Sequence, residues 1–126
     1  MKEEITYLTD VALITCIVPG GDADDIMKAA REAGATAALV SHGRGFGIRE
    51  RLGLLGIAVD AEKDVVSLLV SSDQRNIVAD RIYHAGHFDT PAGGFLYITL
   101  LEKAATYIPQ NMKEQLRKKA QGQERL

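Results

Sequence analysis

The first regular pattern in the chain is Val11-Ala-Leu-Ile-Thr-Cys-Ile-Val18, a short β-branched run that is apolar on both faces and stops at Pro19-Gly20-Gly21. It predicts a central strand. A helix follows: Asp22 is placed to cap it, Asp24 and Asp25 suit its positive N-terminal end, and Ile26, Ala30 and Ala33 recur at the spacing of one buried face. Gly34 is placed to end it in a left-handed C-terminal conformation. Thr36 to Ser41 predicts a second strand, and His42-Gly-Arg-Gly-Phe-Gly47 a loop. Leu54 to Val59 and Val65 to Val70 are two further apolar runs, with polar Asp60 to Asp64 suited to a hairpin connection between them. Ser72 or Asp73 then caps a second helix, with Val78, Ile82 and Ala85 on its apolar face, Ile77 alongside and Gly86 as its stop. A loop from His87 to Gly94 leads into a strand from Phe95 to Leu101. Beyond Pro109 the chain turns polar, with Met112 and Leu116 four apart on a short helix.

Two β-α-β units in succession predict an α+β fold, a ferredoxin-like βαββαβ sandwich with both helices on one face of an antiparallel sheet and an extra hairpin or short loop between the halves. The domain spans residues 1–109, and 110–126 form a polar, partly helical tail. Because alternate residues in both central runs are apolar, the opposite sheet face is expected to meet other copies of the chain.

At 126 residues the chain is the size of one domain, and 46% hydrophobic with 25% charged residues suffices for a core. A formal charge of -2, no tryptophan and 6% aromatic residues speak against a nucleic-acid partner. Cys16 is the sole cysteine, no secretory leader pattern precedes it, and no apolar stretch approaches the roughly 20 residues of a membrane span, so a reducing cytoplasm is expected.

Candidate chemistry concentrates in two glycine-bearing segments. Gly43, Gly45 and Gly47 allow backbone amides to turn toward an anion, and Arg44, Arg49 and Arg51 could add fork-like hydrogen bonds or dock on an acidic surface. Pro91-Ala-Gly-Gly94 could do likewise, although both segments equally suit plain turns. His84 and His87 are three apart and could share a metal with Asp89 or His42, but Gly86 between them interrupts the helix. Cys16 reads as a buried, inert thiol, and Asp22, Asp24 and Asp25 as a helix start rather than a catalytic cluster. Lys113 to Lys119 could lie on a partner or a membrane surface, or be solvated. No Ser-His-Asp set or carboxylate pair stands out.

The segment from Gly34-Ala-Thr36 through Arg44-Gly-Phe-Gly47, followed at the right distance by the second helix and Gly93-Gly-Phe-Leu-Tyr-Ile98, resembles the PII signal-transduction superfamily over roughly Val11 to Pro109. The resemblance implies a non-enzymatic homotrimer. It would bind a small effector, an adenine nucleotide or another anion, in clefts between subunits, and regulate a protein partner such as a membrane transporter through its T-loop, here Ile48 to Lys63. The implied ligand residues are Gly34, Thr36, Arg44, Gly45, Phe46, Gly47, Arg49, Gly93 and Gly94; no metal or catalytic residue is implied. Where the family carries phosphate-binding cations, this chain has Phe88-Asp-Thr90, Phe95, Thr106 and Ile108. A charge-assisted hydrogen bond is worth about 1.5–3 kcal/mol, so the losses favour a ligand of smaller charge than a triphosphate. The T-loop segment lacks a tyrosine to be uridylylated. Two other classes stay open: a metal-responsive trimer similar to the divalent-cation tolerance proteins, suggested by Cys16, His84 and His87, and a phosphoryl-transfer enzyme on the glycine loops.

Overall fold

A computed structural model describes residues 4–45, 61–90, 93–115 and 118. Four strands build the main sheet: β2 (Val11–Pro19), β3 (Ala37–Gly45), β4 (Ala61–Ser71) and β5 (Phe95–Leu100), antiparallel throughout in the order β3-β4-β2-β5. Helix α1 (Ala23–Glu32) follows β2, and α2 (Arg75–Ala85) follows β4 after one 3₁₀ turn over Ser72–Gln74. Strands β1 (Tyr7–Leu8) and β6 (Ala104–Ala105) pair in a small second sheet that ties the two ends of the chain together, with Lys103 Nζ 4.3 Å over the Tyr7 ring. This is the ferredoxin-like βαββαβ arrangement.

The strand periodicity decides what is buried. Ile14 and Leu68 stand side by side on one face, as do Cys16, Val66 and the half-buried Val40, and the helices cover them with Ile26, Ala30, Val78 and Ile82, while Ala38 beside Leu68 stays exposed. Phe88, from the turn after α2, is buried in the same core. The other face carries Leu13 beside Leu69, Thr15 beside Ser67 and Leu39, and Ile17 beside Val65, with Phe95 and Tyr97 continuing the rows on β5. Helices α1 and α2 both pack on the first face and leave this one uncovered, and Leu39, Phe95 and Tyr97 are 70%, 48% and 44% exposed. Among the described residues no helix is long and apolar enough to cross a membrane.

Several local expectations are corrected. His42 to Gly45 is not loop but the end of β3, held in register with Ala61 to Asp64, so those residues are strand as well and not a hairpin turn. The T-loop therefore cannot extend to Lys63; Leu54 to Val59 lie outside the described residues. Asp22 sits at the N-cap of α1 but its side chain makes no capping bond. Instead Asp64, from β4, takes the N–H of Gly21 at 3.0 Å. Neither Ser72 nor Asp73 caps α2, because the 3₁₀ turn comes between and Gln74 holds the N-cap. Gly34 has φ +109° as expected, but Gly86 does not; the positive φ falls on His87, at 52°. A Cβ on Gly86 would stand 2.2 Å from the Phe88 ring, so the glycine makes room for a core side chain. Residues 110–115 are helical.

Candidate functional site

The antiparallel register sorts the expected ligand residues to two ends of the sheet. Gly34 and Thr36 precede β3, where Ala37 pairs with Leu69; Thr36 gives both its N–H and its hydroxyl hydrogen to the Leu69 carbonyl, each at 3.4 Å. Arg44 and Gly45 close the same strand opposite Glu62 and Ala61. Eight residues at about 3.3 Å each separate Thr36 from Arg44, so roughly 26 Å of strand lies between them. Gly93 and Gly94 precede β5, at the same sheet end as Arg44, but β4 and β2 intervene; three strand spacings amount to about 14 Å. Phe46, Gly47 and Arg49 lie outside the described residues.

Gly93 and Gly94 are needed by packing whatever else they do. A Cβ on Gly93 would meet the His87 carbonyl oxygen at 2.2 Å, and one on Gly94 the Ile17 carbonyl oxygen at 2.5 Å. Gly43 and Gly45 have nothing within 4 Å of such a Cβ. Nothing in their immediate packing demands glycine.

Near Thr36 a shallow groove of about 190 Å³ runs between the C-terminal half of α1 and the start of β3, with Met27, Arg31, Ala37 and Leu68 on its walls. Alanines at 30, 35, 37 and 38 create the space. Ligand pockets for drug-sized molecules usually measure about 300–1,000 Å³, and this groove is smaller than that. Sequence reasoning missed Arg31, whose helix-end position suits the dipole equally well.

At the opposite end, His42 and Asp64 face each other in register, with His42 Nδ1 2.6 Å from Asp64 Oδ1. The N–H of Gly21, the bond to His42 and the N–H of Ala23 hold the Asp64 carboxyl below its ordinary range. This pair was not foreseen because it exists only once β3 and β4 are registered. His42 is therefore engaged by Asp64, while His84 lies 3.5 Å from Asp80 one helical turn back. Among the described residues no three His, Cys, Asp or Glu side chains gather as a metal site. Cys16 is buried, and desolvation pushes its thiol up to about 12.

No family model matches the chain, and no curated protein matches it in sequence. Solved structures do. PII of Arabidopsis thaliana, crystallised with citrate, superposes with a TM-score of 0.57 at 19% identity, over 75% of this chain and 79% of its own. A Bacillus cereus protein related to NIF3 superposes with a TM-score of 0.63 at 16% identity, over 81% of this chain and 28% of its own, so the chain spans well under a third of that protein. At these identities the likeness is one of fold. The chain has the PII-like ferredoxin fold.

Proposed function

We propose that the protein is a non-enzymatic, PII-like regulator that associates into a homotrimer through its uncovered sheet face and binds a small anionic effector, an adenine nucleotide of low charge in the first place, between subunits. In this reading it works in the cytoplasm and signals to a protein partner through the segment between β3 and β4. The observation that carries it is the face that α1 and α2 leave uncovered: Leu13, Ile17, Leu39, Val65, Leu69, Phe95 and Tyr97, with only the small hydroxyls of Thr15 and Ser67 between them, make a mostly apolar surface of the kind that marks association. In this reading one small molecule touches a Thr36 end and an Arg44 end, and the length of β3 then requires that two copies supply them.

Light scattering tests the association. The expected mass is about 41 kDa, three times the 13.7 kDa chain, and Leu39→Asp with Tyr97→Asp should shift it to one chain with the far-ultraviolet spectrum retained. A monomeric wild type refutes the reading. Calorimetry with AMP, cyclic AMP, ATP and bicarbonate tests the ligand, and silence toward all four removes the sensor function. With the nucleotide that binds, equal amounts of a Thr36→Val and an Arg44→Ala chain can be unfolded and refolded together. Random cyclic trimers then carry about one intact site in four, whereas each variant alone carries none. No recovery on mixing rules out a site shared between copies.

A further inference from the structure

The effector reading leaves the His42–Asp64 pair unused. Asp64 is almost buried, its side chain 9% exposed, while that of His42 is 79% exposed. One carboxylate oxygen accepts from Gly21 N–H at 3.0 Å and the other bonds His42 Nδ1 at 2.6 Å, so the carboxylate is fixed by the start of α1 and in turn fixes the ring. A carboxylate can only accept. The ring hydrogen therefore sits on Nδ1, and in the neutral ring the lone pair is left on Nε2, which no described residue hydrogen-bonds. A buried carboxylate behind a ring nitrogen is the arrangement that orients an imidazole and stabilises the cation it becomes when its outer nitrogen reacts.

We propose that His42 is an activated nucleophile whose Nε2 accepts a phosphoryl group from a small acyl phosphate or phosphoramidate donor, with Asp64 as its positioning residue. The Nε2 lone pair forms the bond to phosphorus. The bond from phosphorus to the acyl oxygen, or to the phosphoramidate nitrogen, breaks, and its electron pair leaves with the carboxylate or with ammonia. The Nδ1 hydrogen stays in place, and the positive charge left on the ring is held against Asp64. Arg44 follows on the same face of β3, roughly 7 Å further along the strand.

The chain contains its own controls. His84 is similarly exposed but has its Nε2 directed at Asp80, at 3.5 Å, with that carboxylate in solvent; His87 is exposed and has no bonded carboxylate among the described residues. The intact protein is incubated with phosphoramidate, and separately with acetyl phosphate, at neutral pH. Phosphohistidine is then located by fragmentation mass spectrometry and its isomer read by phosphorus NMR. His42 should react at Nε2 at least about tenfold faster than the other two, the lower end of what a carboxylate behind a functional histidine contributes. Asp64→Asn should bring it to their rate, and His42→Gln should remove the fast reaction. Three equal rates overturn the proposal, as does an Asp64→Asn chain that is folded and reacts like wild type. Should Asp64→Asn not fold, the comparison of the three histidines in the wild-type chain decides alone. The proposal is independent of trimer and effector, so failure of either leaves it standing.

Discussion

Changing Gly94 to alanine inserts one methyl group where the start of β5 passes over the end of β2. The new Cβ would lie 2.5 Å from the Ile17 carbonyl oxygen, 2.6 Å from Val18 Cγ1 and 3.1 Å from Val18 Cα. Comfortable contacts between such atoms begin at about 3.5 Å, so strand and turn must separate by about an ångström. They are not free to do so, since Ile17 and Phe95 are registered partners in the sheet. Overpacking costs typically about 1–3 kcal/mol, and contact with backbone rather than a rotatable side-chain tip puts this case near 3 kcal/mol. For a domain of this length that lowers the melting temperature by about 10 °C. Gly43 gives the control: a Cβ there meets nothing within 4 Å, and replacing a strand glycine by alanine should stabilise by about 0.5–1 kcal/mol. Circular-dichroism melts and urea titrations at one fixed chain concentration make the comparison. A Gly94→Ala chain melting with the wild type, or two variants shifting in the same direction, would refute the claim that close packing fixes one glycine and not the other.

Three further outcomes follow from the core and from the buried carboxylate of Asp64. Asp64 is held at a lower pKa in the fold than in the open chain, first by Gly21 N–H and then by His42, so the folded state binds its proton less readily. Its stabilisation is therefore complete above the ordinary carboxylate range and lost as pH falls through the depressed folded value; urea midpoints of wild type and Asp64→Asn should differ at neutral pH and converge in acid. A gap that persists unchanged in acid contradicts this. Cys16, with its thiol at about 12, should resist aromatic disulfide reagents at pH 8 in the native protein and react at once in denaturant; rapid labelling of the folded chain would show that β2 is not buried. Leu68→Ala removes a fully buried side chain between β4 and the helices and should cost about 2–5 kcal/mol in urea unfolding, while Ile77→Ala, on an exposed side of α2, should cost less than about 1 kcal/mol.

The fold was legible where hydrophobic periodicity alone decides structure. The two-faced run at Val11 to Val18 is an interior strand, and Ile26, Ala30, Val78 and Ile82 bury the faces their spacing marked. What was not legible depends on partners distant in sequence. Helix α1 starts beside three aspartates of its own, yet the carboxylate that receives Gly21 comes from position 64, forty-three residues away. The stop after α2 looked like a matter of Gly86, but Phe88 turning back into the core requires that glycine. His42 to Gly45 read as loop because glycine and arginine are poor strand formers, and the pairing with β4 overrode that local preference.

That same pairing changes how the candidate site must be understood. As a list, Gly34, Thr36, Arg44, Gly45, Gly93 and Gly94 left open whether the glycine segments meet within one chain or across an interface. In the fold, β3 runs extended from Ala37 to Gly45 and holds the two groups of residues apart. A strand cannot fold back on itself to reunite them, so either these residues serve different purposes or the second group comes from another copy. The packing already takes Gly93 and Gly94 for structural use, whereas Gly43 and Gly45 are unconstrained by their neighbours and sit with Arg44 at the mouth of the connection to β4. A ligand site is thus best sought where the unconstrained end of β3 can meet the alanine-lined groove of a second copy. The apolar face that would bring the copies together is also the one that α1 and α2 leave bare.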